Sequence, residues 1–369
     1  MSTLKAEIVK IKDIEIHPNA DRLEIANVLG WSCVVQKGVF KEGDLVLYIP
    51  IDSILSQELE NKIFGEDSKI KLHKHRVQTI RLRKIISQGL VVKPETVGIF
   101  NYKEGDDLTS KLNITKYEPP ENLPNIYGSC NKIKKMYINS NFHKYSDIEN
   151  FKNYPQVFKD GEQVYLSCKL HGTSARFGWV PNEVNTIWKK IKNFFGLLEK
   201  WEFLVGSRNV QLNSSHNKKD YFYDENVYMK VSMMYNLKNK LLKGEILYGE
   251  IIGKNIQAGY SYGCKEGEIK FYAYDIMEDD KWLDPNDFIN LCYLRNIPMV
   301  PKVYEGPFSK EVIEKYTQGP SVLCPNEQPV KEGVVVKASP ERRDPYIGRT
   351  CLKSINSEYL LLKNNSDFH

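Results

Sequence analysis

The segment Glu118-Pro-Pro-Glu-Asn-Leu-Pro124 divides this chain. Three prolines in seven residues fix φ and remove backbone donors, which disfavours helix and sheet alike. Such a stretch reads as a semi-stiff spacer. At 369 residues the chain has length for two domains. The spacer sets their limits at residues 1–117, a linker at 118–124, and residues 125–369.

The first part reads as all-β. Short β-branched runs recur at Glu7–Lys12, Leu23–Val28, Cys33–Val35 and Leu45–Ile49, separated by His17-Pro-Asn-Ala-Asp21, Lys37-Gly38 and Glu42-Gly-Asp44. Thr79–Arg83 and Gly89–Val92 add two more. Many short strands with Gly and Pro turns in so few residues favour a small barrel. Alternation along Thr79–Arg83 places Arg81 and Arg83 on one face, as candidate nucleic-acid contacts, and Ile80 and Leu82 on the other.

The second part mixes strands (Gln163–Cys168, Glu268–Tyr274) with helical spacing at Asp287–Arg295 and a serine-capped start at Ser309. It reads as α+β. No apolar run approaches the roughly 20 residues that span a bilayer, and Met1–Glu7 lacks a signal-peptide core. The expectation is a soluble, intracellular protein with no membrane association. No stable protein partner is inferred. Seven scattered cysteines with no Cys-x-x-Cys pair argue against a zinc site and for reduced, buried thiols. Net charge is only +5, so the distribution matters more. Cations cluster at Lys69–Arg76, Arg81–Lys84 and Lys132–Lys135, as phosphate contacts or as solvated faces.

The second part also holds an ordered series: Lys169-Leu-His-Gly-Thr-Ser-Ala-Arg176, Gly206-Ser-Arg-Asn209, Leu247-Tyr-Gly-Glu250, Phe271-Tyr-Ala-Tyr-Asp275, Glu332-Gly-Val-Val-Val-Lys337 and Cys351-Leu-Lys-Ser354. Lysine, arginine, two separated glutamates, an aromatic strand and further lysines, in this order, describe a nucleoside triphosphate site. Gly172 allows close backbone approach to a ligand. A nucleophilic Lys169 must attack while neutral, a state favoured by burial and by neighbouring cations. Its natural target is an α-phosphorus, with pyrophosphate leaving in line. Taken singly, Arg208 and Glu250 could be structural ion-pair partners, and Tyr272 and Tyr274 core aromatics.

The series resembles motifs I, Ia, III, IIIa, IV and V of the covalent nucleotidyltransferase superfamily, which comprises ATP-dependent ligases and mRNA capping enzymes. Lys-x-His-Gly-Thr is more similar to RNA ligases than to DNA ligases. His17–Glu24 looks like the opening of tRNA-binding OB domains. An N-terminal OB unit with no domain after the last motif resembles the fifth family of ATP-dependent RNA ligases.

The resemblance implies an OB-type barrel followed by a nucleotidyltransferase domain of antiparallel sheets flanked by helices. It implies a lysyl–AMP intermediate on Lys169, and joining of 5′-phosphate to 3′-hydroxyl ends. The partner would be RNA, at nicks in a duplex whose 3′-hydroxyl strand is RNA. The cofactors would be ATP with Mg2+ or Mn2+. Arg208 would hold the ribose or terminal nucleotide, Glu250 the ribose hydroxyls, and Tyr274 would stack on adenine. Leu170 and Gly172 would lie against the nucleotide. Glu332, with Glu250, would engage the metal, and Lys337 and Lys353 the phosphates.

The chain departs from the pattern at Cys351, where many relatives carry a lysine; Arg349 or Lys337 could assist Lys353. Ser167 and Cys168 stand where acidic residues are common in related ligases, which bears on ATP preference. The alternative readings are a noncatalytic RNA- or tRNA-binding protein and a capping-type guanylyltransferase.

Overall fold

The computed structural model describes residues 4–68, 70–117, 138–184, 187–212, 227–254, 256, 260–326 and 330–362. The proline-rich spacer and the Lys132–Lys135 cluster lie outside the described residues. No described helix is long and apolar enough to cross a membrane. No disulfide joins the described cysteines.

The N-terminal unit is built on a five-stranded antiparallel sheet. Its order is Trp31–Gln36, Leu23–Val28, Glu7–Ile16, Leu45–Ile49, Leu90–Val92. A register shift between Ile11 and Asp13 bends the long first strand, as an extra residue on one side of a ladder does. The hairpin Thr79–Leu82/Ile85–Gln88 lies beside Trp31–Gln36, where the Ser87 hydroxyl accepts from the Val34 amide at 2.9 Å. The result is a nearly closed barrel. Its central strands are buried on both faces. Ile8, Leu47 and Ile49 pack with Leu59 of the helix Gln57–Phe64, while Val9, Ile11, Val46 and Tyr48 face the second unit. Double burial at Ile8–Val9 and at Val46–Ile49 explains why those stretches read as apolar runs rather than as alternation. The sequence reading gave no helix here, although Ser56 caps it through the Leu59 amide and Gly65 ends it at φ 90°.

One expectation is corrected. The strand stops at Leu82, so Arg83 does not share a strand face with Arg81. Arg83 and Lys84 form the hairpin turn at φ 47° and 75°, the paired positive values that suit the twist of a two-residue loop. The His17 segment clasps this turn. His17 Nε2 lies 3.3 Å from the Leu82 carbonyl, and Asn19 donates to the Arg83 carbonyl at 3.0 Å. Arg81 forms an exposed ion pair with Glu358 of the second unit at 2.5 Å. In the Lys69–Arg76 cluster, His75 pairs with the buried Glu60 at 2.6 Å and Arg76 with the buried Asp52. Part of that positive charge is therefore committed to holding the loop.

The described residues of the second unit form two large sheets and a two-stranded ribbon, Arg343–Asp344 with Gly348–Arg349. The first runs Glu149–Asn150, Cys351–Ile355, Gly333–Ala338, Gln163–Lys169, Lys302–Pro307. The second runs Gln211–Leu212, Trp201–Ser207, Thr173–Pro181, Glu245–Gly253, Ile269–Glu278, Lys281–Trp282. The outer face of the first packs Val164, Leu166, Val334, Val336 and Leu352 against the helix Lys310–Thr317 through Ile313. The outer face of the second packs Phe177, Leu247, Phe271 and Ala273 against the helices Val227–Met234 and Pro285–Leu294. Alternation then turns the polar residues of both sheets inward, toward each other. The chain passes from one sheet to the other at Leu170-His171-Gly172.

Candidate active site

Lys169 is the last residue of its strand and sits opposite Gly333 in the ladder. That register brings Glu332 beside it, and Lys169 Nζ donates to Glu332 Oε1 at 2.6 Å. The Lys169 side chain is 14% exposed and that of Glu332 1%. Gly333 is required for this approach, because a Cβ there would lie 2.1 Å from the Ser354 carbonyl oxygen. Gly172 is equally constrained: a Cβ would lie 2.3 Å from the Ile251 carbonyl oxygen. Instead its amide donates to Glu250 Oε1 at 3.1 Å. Leu170 points away, into the apolar core shared with the barrel, so a ligand could meet only its backbone.

Across the second sheet, Ser174, Glu250 and Tyr272 form one row of paired residues. Tyr274, on the same face of its strand as Tyr272, shares a hydrogen bond with Ser174 at 2.8 Å. Arg208 follows the strand Trp201–Ser207 and pairs with Asp147 at 2.9 Å. Lys337, on the inner face of the first sheet, donates to the Tyr274 carbonyl and to Asp275 Oδ2, both at 2.8 Å. Lys353 is buried on that same face, in register with Val335. The structure thus brings Lys169, Glu332, Glu250, Tyr274 and Lys337 around one inter-sheet space, with Arg208 at its margin. Arg81 and Arg83 belong to the barrel hairpin.

The sequence reading assigned no role to Asp275, which is the hub of the site. Its Oδ2 accepts from Lys337, from Arg349 at 2.6 Å and from the Tyr145 hydroxyl at 2.8 Å. Burial opposes ionisation of Asp275, but Arg349 and Lys337 outweigh it and hold the carboxyl below its ordinary range. Arg349 also pairs with Glu341 at 2.8 Å and lies over the Trp282 ring. The signal in the sequence was the lone acid that ends the aromatic strand. Tyr145 belongs to a strap that crosses the second sheet. Arg176 donates to the Phe142 carbonyl at 2.6 Å and Tyr248 to the His143 carbonyl at 2.9 Å.

The two glutamates fit a hard divalent cation. Glu332 Oε2 is buried without a hydrogen-bond partner. Burial pushes the Glu250 carboxyl up to about 8; Lys169 draws it down and Glu332 pushes it further up. Two desolvated carboxylates that repel each other are a donor set for magnesium or manganese, which keep much of their water shell. Among the described residues no three His, Cys, Asp or Glu side chains converge, so the protein would supply few ligands of its own.

His171 carries a pH dependence. It is 5% exposed, and burial, reinforced by Lys169, lowers its pKa to about 3. Folded protein therefore binds fewer protons here than unfolded chain between about pH 6.5 and pH 3. Stability from this group is complete above the unfolded value and falls on acidification, by up to about 1.4 kcal/mol per pH unit. Urea unfolding from pH 7 to pH 4 is expected to show this slope in the wild type and a shallower one in His171→Asn. Equal slopes would remove His171 as the cause.

The RNA ligase family model matches residues 162–355, more than half of the chain. The chain belongs to the RNA ligase family. An OB-fold domain model matches residues 5–94, which identifies the barrel in front of the RNA ligase region. Among solved structures, a Naegleria gruberi RNA ligase mutant with ATP and Mn is similar at 26% identity and a TM-score of 0.73, covering 98% of this chain and 100% of that one. A second mutant of that RNA ligase, with AMP and Mn, is similar at 25% identity and a TM-score of 0.71, covering 97% of this chain and 99% of that one. Among curated proteins, none matches the chain.

Proposed function

We propose that this chain is an ATP-dependent RNA ligase working through a covalent lysyl–AMP on Lys169. The observation that carries the reading is the strand-end Lys169 amine, held at Glu332 on the face that also presents Lys337 and Lys353. The ATP, AMP and Mn bound by the similar Naegleria gruberi RNA ligase mutants support it.

The chemistry has three steps. Lys169, having lost its proton, attacks the α-phosphorus of ATP; an N–P bond forms and pyrophosphate leaves. A 5′-phosphate oxygen of the nucleic acid then attacks that phosphorus, releasing the Lys169 amine and leaving AMP joined to the end through a pyrophosphate bond. The 3′-hydroxyl attacks the end phosphate, and AMP departs as the phosphodiester forms. Glu332 and Glu250 would hold magnesium or manganese, whose charge would offset that of the phosphates and favour the neutral amine. Lys337 and Lys353 would neutralise the phosphates, Tyr274 would stack on adenine, and Gly172 and the Leu170 backbone would lie against the nucleotide. Arg208 would hold the ribose or terminal nucleotide once released from Asp147.

The substrate in this reading is a nicked duplex with an RNA 3′-hydroxyl strand. The units are an OB barrel at 1–117, a linker at 118–124 and a nucleotidyltransferase domain at 125–369, with Arg81 and Arg83 as nucleic-acid contacts. Mass spectrometry of the protein after incubation with ATP and magnesium tests the reaction. One added AMP, mapped to Lys169, is expected. Label taken from α-labelled GTP alone would mean a capping-type enzyme, and no adduct with any nucleotide would leave an RNA-binding protein. Sealing of RNA, DNA and mixed-strand nicks tests the substrate.

A further inference from the structure

We propose that Tyr359 is a positioning residue for the nucleophile, acting through His171; this rests on the lysyl–AMP reading above. The loop Leu170-His171-Gly172 spans the gap between the two sheets, and His171 is fixed from two sides. Its backbone amide donates to the Tyr262 hydroxyl at 2.8 Å, and its Nδ1 lies 3.0 Å from the Tyr359 hydroxyl. The rings of Tyr260 and Tyr359 meet the imidazole edge-on, with centroids 4.9 Å and 5.6 Å away. Tyr359 is fully buried, at 0% exposure.

Tyr359 lies on a single helical turn, Ser357–Leu360, capped by the Asn356 side chain. The Asn356 amide also donates to the Glu332 carbonyl oxygen at 2.9 Å. One short segment therefore touches both sides of the Lys169–Glu332 pair, at Glu332 itself and, through Tyr359, two residues beyond Lys169. Between Asn356 and Tyr359 in sequence, Glu358 binds Arg81 of the barrel hairpin. For filling the core, phenylalanine would serve as well as tyrosine, and a buried hydroxyl costs free energy unless it is bonded. Here the hydroxyl is bonded to the loop that aims the amine. In-line attack depends on that aim, since small misplacements of a reacting group slow chemistry far more than they weaken binding.

The test is Tyr359→Phe, which keeps the ring and removes the hydroxyl. Single-turnover formation of the AMP adduct is measured with ATP and magnesium, alongside the melting temperature. The rate at saturating ATP is expected to fall about tenfold, with half-saturating ATP and melting temperature close to wild type. An unchanged rate would overturn the proposal, as would a loss confined to melting temperature or to half-saturating ATP. A cycle with His171→Gln supplies a second measure. If Tyr359 works through His171, adding Tyr359→Phe to His171→Gln costs little more; a further tenfold loss overturns the route. Wild-type protein that forms no adduct would instead remove the lysyl–AMP reading, a result distinct from a wild type and a Tyr359→Phe variant that react equally.

Discussion

Lys169→Ala is expected to abolish adduct formation and with it sealing of ordinary 5′-phosphate ends. No described neighbour can take over the attack. Lys337 is tied to Asp275 and the Tyr274 carbonyl, and Lys353 lies within the sheet, in register with Val335. The loss should exceed about a thousandfold, the scale seen when a covalent nucleophile is deleted. The variant should fold with a lowered melting temperature, because it leaves the buried Glu332 side chain, 1% exposed, without its cation. It should also still seal an end that already carries AMP, since that step needs no lysine nucleophile. Intact-mass spectrometry reads the first outcome and a pre-adenylylated nick the second. An adduct surviving in Lys169→Ala would place the nucleophile elsewhere.

Asp275→Ala should produce the largest loss of stability. The substitution leaves the buried Lys337, 3% exposed, with no carboxylate partner, and the buried Arg349, 6% exposed, with Glu341 alone. Removing one partner of a buried ion pair typically costs about 3–5 kcal/mol, because the remaining charge stays desolvated. In a chain of this size that corresponds to a fall in melting temperature of about 4–6 °C. Adduct formation should fall too, because Lys337 loses the carboxylate that aims it. Asp275→Asn keeps one acceptor and should be milder on both counts. A melting temperature that does not move in Asp275→Ala would show that the hub carries no net weight.

The readable parts of the fold were those with a periodic signal. Leu23–Val28 and Leu45–Ile49 are strands with the bounds their β-branched runs indicated. The helix Pro285–Leu294 and the Ser309 cap follow from apolar spacing and cap chemistry. The helix Gln57–Phe64 was missed because its apolar positions are few and only its caps announce it. Arg83 was misread because a run ending in arginine and lysine carries no glycine to betray a turn, and the clasp from Asn19 is long-range. In the site, residue types and their order pointed to Lys169, Glu250 and Glu332. Their distances came only from the pairing of Lys169 with Gly333, and sequence does not state a register. The Asp275 hub and the Tyr359–His171 bond join residues 74 and 188 positions apart, beyond the reach of local pattern.

The strand that ends in Lys169 has the barrel at its back. Cys168 and Leu170 share a core with Trp31 and Tyr48 of the first unit. The barrel is therefore not an accessory that evolution or a cloning strategy can lift off at the proline spacer. Cutting there would wet the reverse side of the loop that follows Lys169, and a foreign barrel would have to match its contours. Exchange of parts among relatives should accordingly preserve this seam, and the barrel and the strand that ends in Lys169 should be inherited as a unit.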